Sequence, residues 1–75
     1  MLTSREKEFI TPKLVKVLHQ LIESDFSEGV ELDMVIQYME DINRVDYSKE
    51  KAMPYLNELC ERKVLKEVNG KYYPI

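Results

Sequence analysis

Seventy-five residues with 44% hydrophobic content make one domain with a small core, and the composition excludes a disordered chain. A single cysteine excludes an internal disulfide, so packing must hold the core, as suits a reducing compartment. A net charge of −3 argues against bulk phosphate binding.

The charge is unevenly spread. Residues 1–43 hold 4 Lys/Arg against 9 Asp/Glu, whereas residues 44–75 hold 7 against 5. No Lys or Arg lies between Val17 and Asn43, where Glu23, Asp25, Glu28, Glu31, Asp33, Glu40 and Asp41 fall. Such a run reads as a solvated flank or as a face for a basic protein partner. The opening MLTSREKEF has no apolar run of the signal-peptide kind, and no stretch of about 18 apolar residues exists for a membrane span. The expected location is cytoplasmic.

Residues 1–10 read as a polar lead, either a flexible arm or a short helix begun at Ser4. The first helix is expected from Thr11 as N-cap, with Pro12 at the first helical position. Ile10 and Val15 have the spacing of a hydrophobic staple. Leu14, Leu18, Leu21 and Ile22 continue at helical spacing to about Ser24. Asp25–Gly29 reads as a loop with Phe26 tucked beneath it, and Val30 as a very short strand. The second helix is expected from Leu32 to Asp41 on the stripe Leu32, Val35, Ile36, Met39, with Asp33 suited to the helix dipole.

Asn43–Tyr47 reads as a turn with Val45 pointing inward. Ser48 is the best N-cap for a third helix over about 48–63, with Asp46 the alternative, and Met53, Leu56, Leu59 and Cys60 share one face. Pro54 falls in its second turn, where it removes the N–H that would bond Glu50. The helix therefore bends there, or residues 48–52 form a separate turn. Val64–Val68 and Lys71–Ile75 read as strands around Asn69-Gly70, a pair that tolerates the positive φ of a type I′ turn. That turn sets Val68 opposite Lys71, Lys66 opposite Tyr73 and Val64 opposite Ile75. Tyr72 and Tyr73 fall on opposite faces, one towards the core. The fold class is mainly α with a small β-hairpin (α+β): three helices plus a two-stranded wing over residues 1–75, the layout of a winged helix-turn-helix.

Ser48, then Pro54, Leu56 and Leu59, then Val64-Leu65-Lys66-Glu67, resemble the recognition helix and wing of PadR-type regulators and the small winged-helix proteins of archaeal viruses. The likeness covers about residues 30–75 by layout, with motif character over 48–75 only. It implies a dimeric, DNA-binding regulator of transcription. The chain departs from that pattern at Lys63, where many relatives have glycine, in its two-residue wing loop, and in lacking a dimerisation helix after Ile75. Any homodimer would then use the first helix or the N-terminal arm.

On a DNA reader the exposed start of the third helix enters the major groove. That offers Lys49, Lys51, Tyr55 and Asn57, while Arg44, Lys66 and Lys71 hold the phosphate backbone. Glu50, Glu58 and Glu61 on the same helix would repel phosphates. The expected partner is double-stranded DNA, the alternative a protein partner met through an acidic interaction module. An enzyme is not expected. His19 has no second histidine, Cys60 sits on an apolar stripe, and the two glycines, Gly29 and Gly70, build no phosphate loop. No cofactor and no metal site are expected.

Overall fold

The computed structural model describes residues 2–75. In chain order it contains α1 (Ser4–Glu23), β1 (Val30–Glu31), α2 (Leu32–Asn43), α3 (Lys49–Glu61), β2 (Leu65–Val68) and β3 (Lys71–Pro74). It is thus mainly helical, with a three-stranded antiparallel sheet in the order β1-β3-β2. The expected two-stranded hairpin is extended by Val30 and Glu31, which pair with Tyr72 and Lys71.

The N-terminal expectation is corrected. Residues 4–10 are the opening turns of α1, neither arm nor separate helix. Thr3 is the N-cap, and its hydroxyl accepts from the Glu6 N–H while the Glu6 carboxylate accepts from the Thr3 N–H, both at 3.1 Å. This reciprocal capping box satisfies two end donors at once. Pro12 therefore lies inside the helix. It leaves only the Glu8 carbonyl without its helical donor, and Glu8 is exposed to water. Thr11 is no cap, and the Ile10–Val15 staple does not form because the helix starts earlier. Ile10 instead joins Leu14 and Leu18 on the buried stripe. At a rise of about 1.5 Å per residue, the 20 residues of α1 span about 30 Å.

That stripe packs with Val35, Ile36 and Met39 of α2, with Ala52, Tyr55, Leu56 and Leu59 of α3, and with Val30, Leu65 and Tyr72 of the sheet. α2 runs through Ile42 and ends at Asn43, and the capping residue Arg44 takes the left-handed conformation (φ 56°). The inward residue of the following turn is Tyr47, which is buried, whereas Val45 is 44% exposed and does not point inward. Ser48 caps α3, accepting from the Lys51 N–H. Pro54 does not divide that helix, which is continuous from Lys49 to Glu61.

α3 ends in a Schellman arrangement. The Val64 N–H bonds the Leu59 carbonyl at 2.9 Å and the Lys63 N–H bonds that of Cys60 at 3.1 Å. Lys63 sits at the left-handed position (φ 62°) where glycine is usual. The chain thereby turns directly into β2. Asn69 and Gly70 both have positive φ, 53° and 79°, as a type I′ turn demands. Val68 faces Lys71, Lys66 faces Tyr73 and Leu65 faces Pro74, the register expected from the loop length. Hydrogen-bonded and non-bonded pairs alternate along such a ladder. Ile75 donates to Val64 at 3.1 Å, so Pro74 falls at a non-bonded position where its missing N–H costs nothing towards β2. Tyr72 is the buried tyrosine of the pair.

Gly29 fixes the approach of the loop before β1. Its φ is +106°, and a Cβ there would lie 2.8 Å from the Lys71 Cβ and 2.9 Å from the Tyr73 ring. The Tyr73 hydroxyl donates to the Glu28 carbonyl across the same contact. The outer face of the sheet is thus pinned against the loop.

Candidate functional site

α3 and the hairpin border one open groove of about 610 Å3. Met53 and Cys60 line it from the helix and Leu65 and Tyr72 from the sheet. Asn57 and Glu67 are polar members of its lining; Lys66 also borders it, but the Lys66 ammonium lies over the Tyr73 ring, on the other face of the hairpin. Of the expected site residues, Asn57 therefore belongs to the groove.

The others are dispersed. Tyr55 is 1% exposed and cannot read a partner, which corrects its expected place on the outer face. Its hydroxyl lies 2.9 Å from the Thr11 hydroxyl. Thr11 already donates to the Lys7 carbonyl at 2.6 Å, so Tyr55 is the donor between them. Burial pushes the Tyr55 hydroxyl pKa up. The stripe of α3 that faces the core runs through Ala52, Tyr55, Leu56 and Leu59. The opposite line, at helical spacing, is Glu50, Pro54, Asn57 and Glu61, all exposed.

Lys49 and Lys51 flank that line on opposite sides, since two residues turn the helix by about 200°. The Lys49 ammonium lies 3.9 Å from an Asp33 carboxylate oxygen. Lys51 faces α1, where its charge helps hold Glu6 ionised. Lys71 is engaged by Glu28 at 3.7 Å, and Lys66 lies 5.7 Å over the Tyr73 ring. These surface pairs are weak, about 0–1 kcal/mol each, so a phosphate can displace their carboxylates. Arg44 is exposed beside the α2–α3 turn. The basic residues of the C-terminal part thus do not gather on one face.

Cys60 is partly buried, and burial with a contribution from Glu67 raises its pKa, which disfavours the thiolate. Among the described residues no group of His, Cys, Asp or Glu is arranged to hold a metal ion. No helix there is long and apolar enough to cross a membrane.

A polar cluster that sequence reasoning missed lies at the other end of α3. The Tyr47 hydroxyl donates to Glu6 Oε2 at 2.9 Å. Asn43 Nδ2 donates to the same oxygen at 3.2 Å and to the Tyr47 hydroxyl. The Tyr47 N–H donates to Glu40 Oε2 at 2.7 Å. The backbone N–H of Thr3, then the Tyr47 hydroxyl, hold the Glu6 carboxyl below its usual pKa range. The only signal for this cluster was the Thr3-x-x-Glu6 spacing, which indicates a cap and says nothing of a distant tyrosine. Comparison with protein-family models, with curated proteins and with solved structures finds no match.

Proposed function

We propose that this chain is a winged-helix domain that binds duplex DNA and regulates transcription, with α3 as the reading helix and β2–β3 as the wing. One observation carries the reading. The order helix, strand, helix, helix, hairpin closes a β1-β3-β2 sheet and sets α3 beside the hairpin, with Asn57 lining the groove between them. The step from that layout to DNA is an analogy of fold. The contact set is Asn57 for base edges, Lys49 and Lys51 at the helix start, and Arg44, Lys66 and Lys71 for phosphates. Tyr55 leaves the set.

Charge sets the strength. Arg44, Lys51 and Lys66 are in no ion pair among the described residues. The three phosphate contacts of that set, Arg44, Lys66 and Lys71, give a salt slope of about −3 in log affinity against log salt. Binding is therefore weak and suited to low ionic strength. Fluorescence anisotropy with a labelled duplex, titrated in salt, tests this. Lys49→Glu combined with Lys51→Glu is expected to weaken binding at least about tenfold. Unchanged affinity in that variant removes α3 from the interface.

A second reading is favoured by the acidic line of α3. Glu50 and Glu61 stand on its outermost stripe, and the groove beside it is walled largely by apolar side chains. A protein partner with an apolar side chain and a basic rim would fit that surface. It predicts a domain that ignores DNA at every salt concentration.

A further inference from the structure

The polar cluster around Glu6 joins two segments 41 residues apart in sequence. One is the opening turn of α1, the other the turn that delivers the chain into α3. Glu6 Oε1 completes the capping box with Thr3, while Oε2 takes the Tyr47 hydroxyl and the Asn43 amide. One carboxylate therefore serves both ends of the junction. Tyr47 is held twice, by its hydroxyl on Glu6 and by its N–H on Glu40, and its ring is buried. The next residue, Ser48, caps α3, and Lys49 follows. The turn has little else to fix it. Arg44, Val45 and Asp46 are exposed, and Arg44 carries a left-handed backbone.

We propose that Glu6 is a positioning residue for the start of α3: the first turn of α1 latches the α2–α3 turn, so the two segments order and loosen together. Further along α1, Ile10, Leu14 and Leu18 are buried in the core and make none of the latch's hydrogen bonds. The charged and titratable groups that face Glu6 are Tyr47 of the turn and Lys51 of α3, and Glu40 of α2 reaches it through Tyr47. Any effect of the latch on DNA rests on the proposed function above, but the coupling itself does not.

Amide hydrogen exchange on the free protein tests the coupling without any ligand. Tyr47→Phe removes the hydroxyl and keeps the ring. It is expected to speed exchange at Tyr47 and also at Glu6 and Lys7, by about two- to tenfold, the effect of losing one ordinary hydrogen bond. Thr3→Ala removes only the cap hydroxyl at the other side. It is expected to speed exchange at Tyr47 as well as in the first turn, because coupling is reciprocal. The double variant is expected to fall short of the product of the two single effects. Effects confined to the mutated side in both variants, with a strictly multiplicative double variant, overturn the latch. Loss of protection at Leu14 or Leu18 would also overturn it, since that is global loosening. If exchange responds as expected while duplex affinity in Tyr47→Phe is unchanged, the latch stands and its link to DNA fails.

Discussion

Lys63 occupies the left-handed position that ends α3, where a Cβ is disfavoured by about 1–2 kcal/mol. That conformation serves the two backbone bonds of the Schellman turn, Lys63 N–H to Cys60 and Val64 N–H to Leu59, which glycine would make as well, and the Lys63 side chain is exposed. Lys63→Gly is therefore expected to stabilise the fold by about 1 kcal/mol, or about 4–8 °C in melting temperature for a domain of this size. Gly29 is the opposite case. Gly29→Ala brings a Cβ to 2.8 Å from Lys71 and 2.9 Å from Tyr73 at a positive φ. A loss of about 2–4 kcal/mol is expected in denaturant titration.

Glu6 gives a pH prediction. Its folded pKa lies below the ordinary glutamate value, held down by the Thr3 N–H and the Tyr47 hydroxyl, so the ionised carboxylate favours the native state. Its contribution is complete above that value and is lost as pH falls through the lower folded pKa. The stability gap between the parent chain and Glu6→Gln should therefore close between about pH 6 and pH 3, as read from denaturant midpoints. A gap that widens with falling pH would contradict the assignment. Of these residues, Lys63 stood out in the sequence as a departure from glycine. Gly29 and Glu6 did not, because their roles depend on neighbours far along the chain.

At the scale of elements, the hairpin and the cap of α3 were legible from local chemistry. Asn69-Gly70 allows one turn, and that turn dictates the whole register. Ser48 offers a hydroxyl one residue before a helical run. α1 was misjudged because two start signals compete. Pro12 after Thr11 marks one beginning, while the capping box at Thr3 marks another, and burial of Ile10 and Leu2 rewards the longer helix. Tyr55 was misplaced because small Ala52 carries little hydrophobic signal. The apolar arc of α3 therefore seemed centred nearer Cys60 than it is, and a phenol drawn inward by Thr11 has no mark in the sequence. Tyr55→Phe tests the corrected role. It is expected to cost about 1 kcal/mol of stability through the lost hydrogen bond to Thr11 and to leave duplex affinity unchanged. A selective loss of affinity would return Tyr55 to the interface.

Over the whole molecule, the charge polarity read from the sequence persists, but its consequence changes in three dimensions. Asp33 of the acidic half reaches Lys49, and Glu28 reaches Lys71. The two halves partly neutralise one another across the surface. Net charge and local composition cannot show this, since each pair joins residues from different segments. What remains free at the start of α3 and the hairpin is small, so the proposed binding to duplex DNA would be of modest affinity. The most direct measurement of the proposed function is the amide spectrum of 15N-labelled protein titrated with duplex DNA at low salt. The account predicts shifts concentrated at Arg44, Lys49–Asn57 and Lys66–Lys71, with α1 beyond Thr11 silent. Shifts centred on the acidic stretch Glu23–Asp33, or none at any DNA concentration, would contradict it.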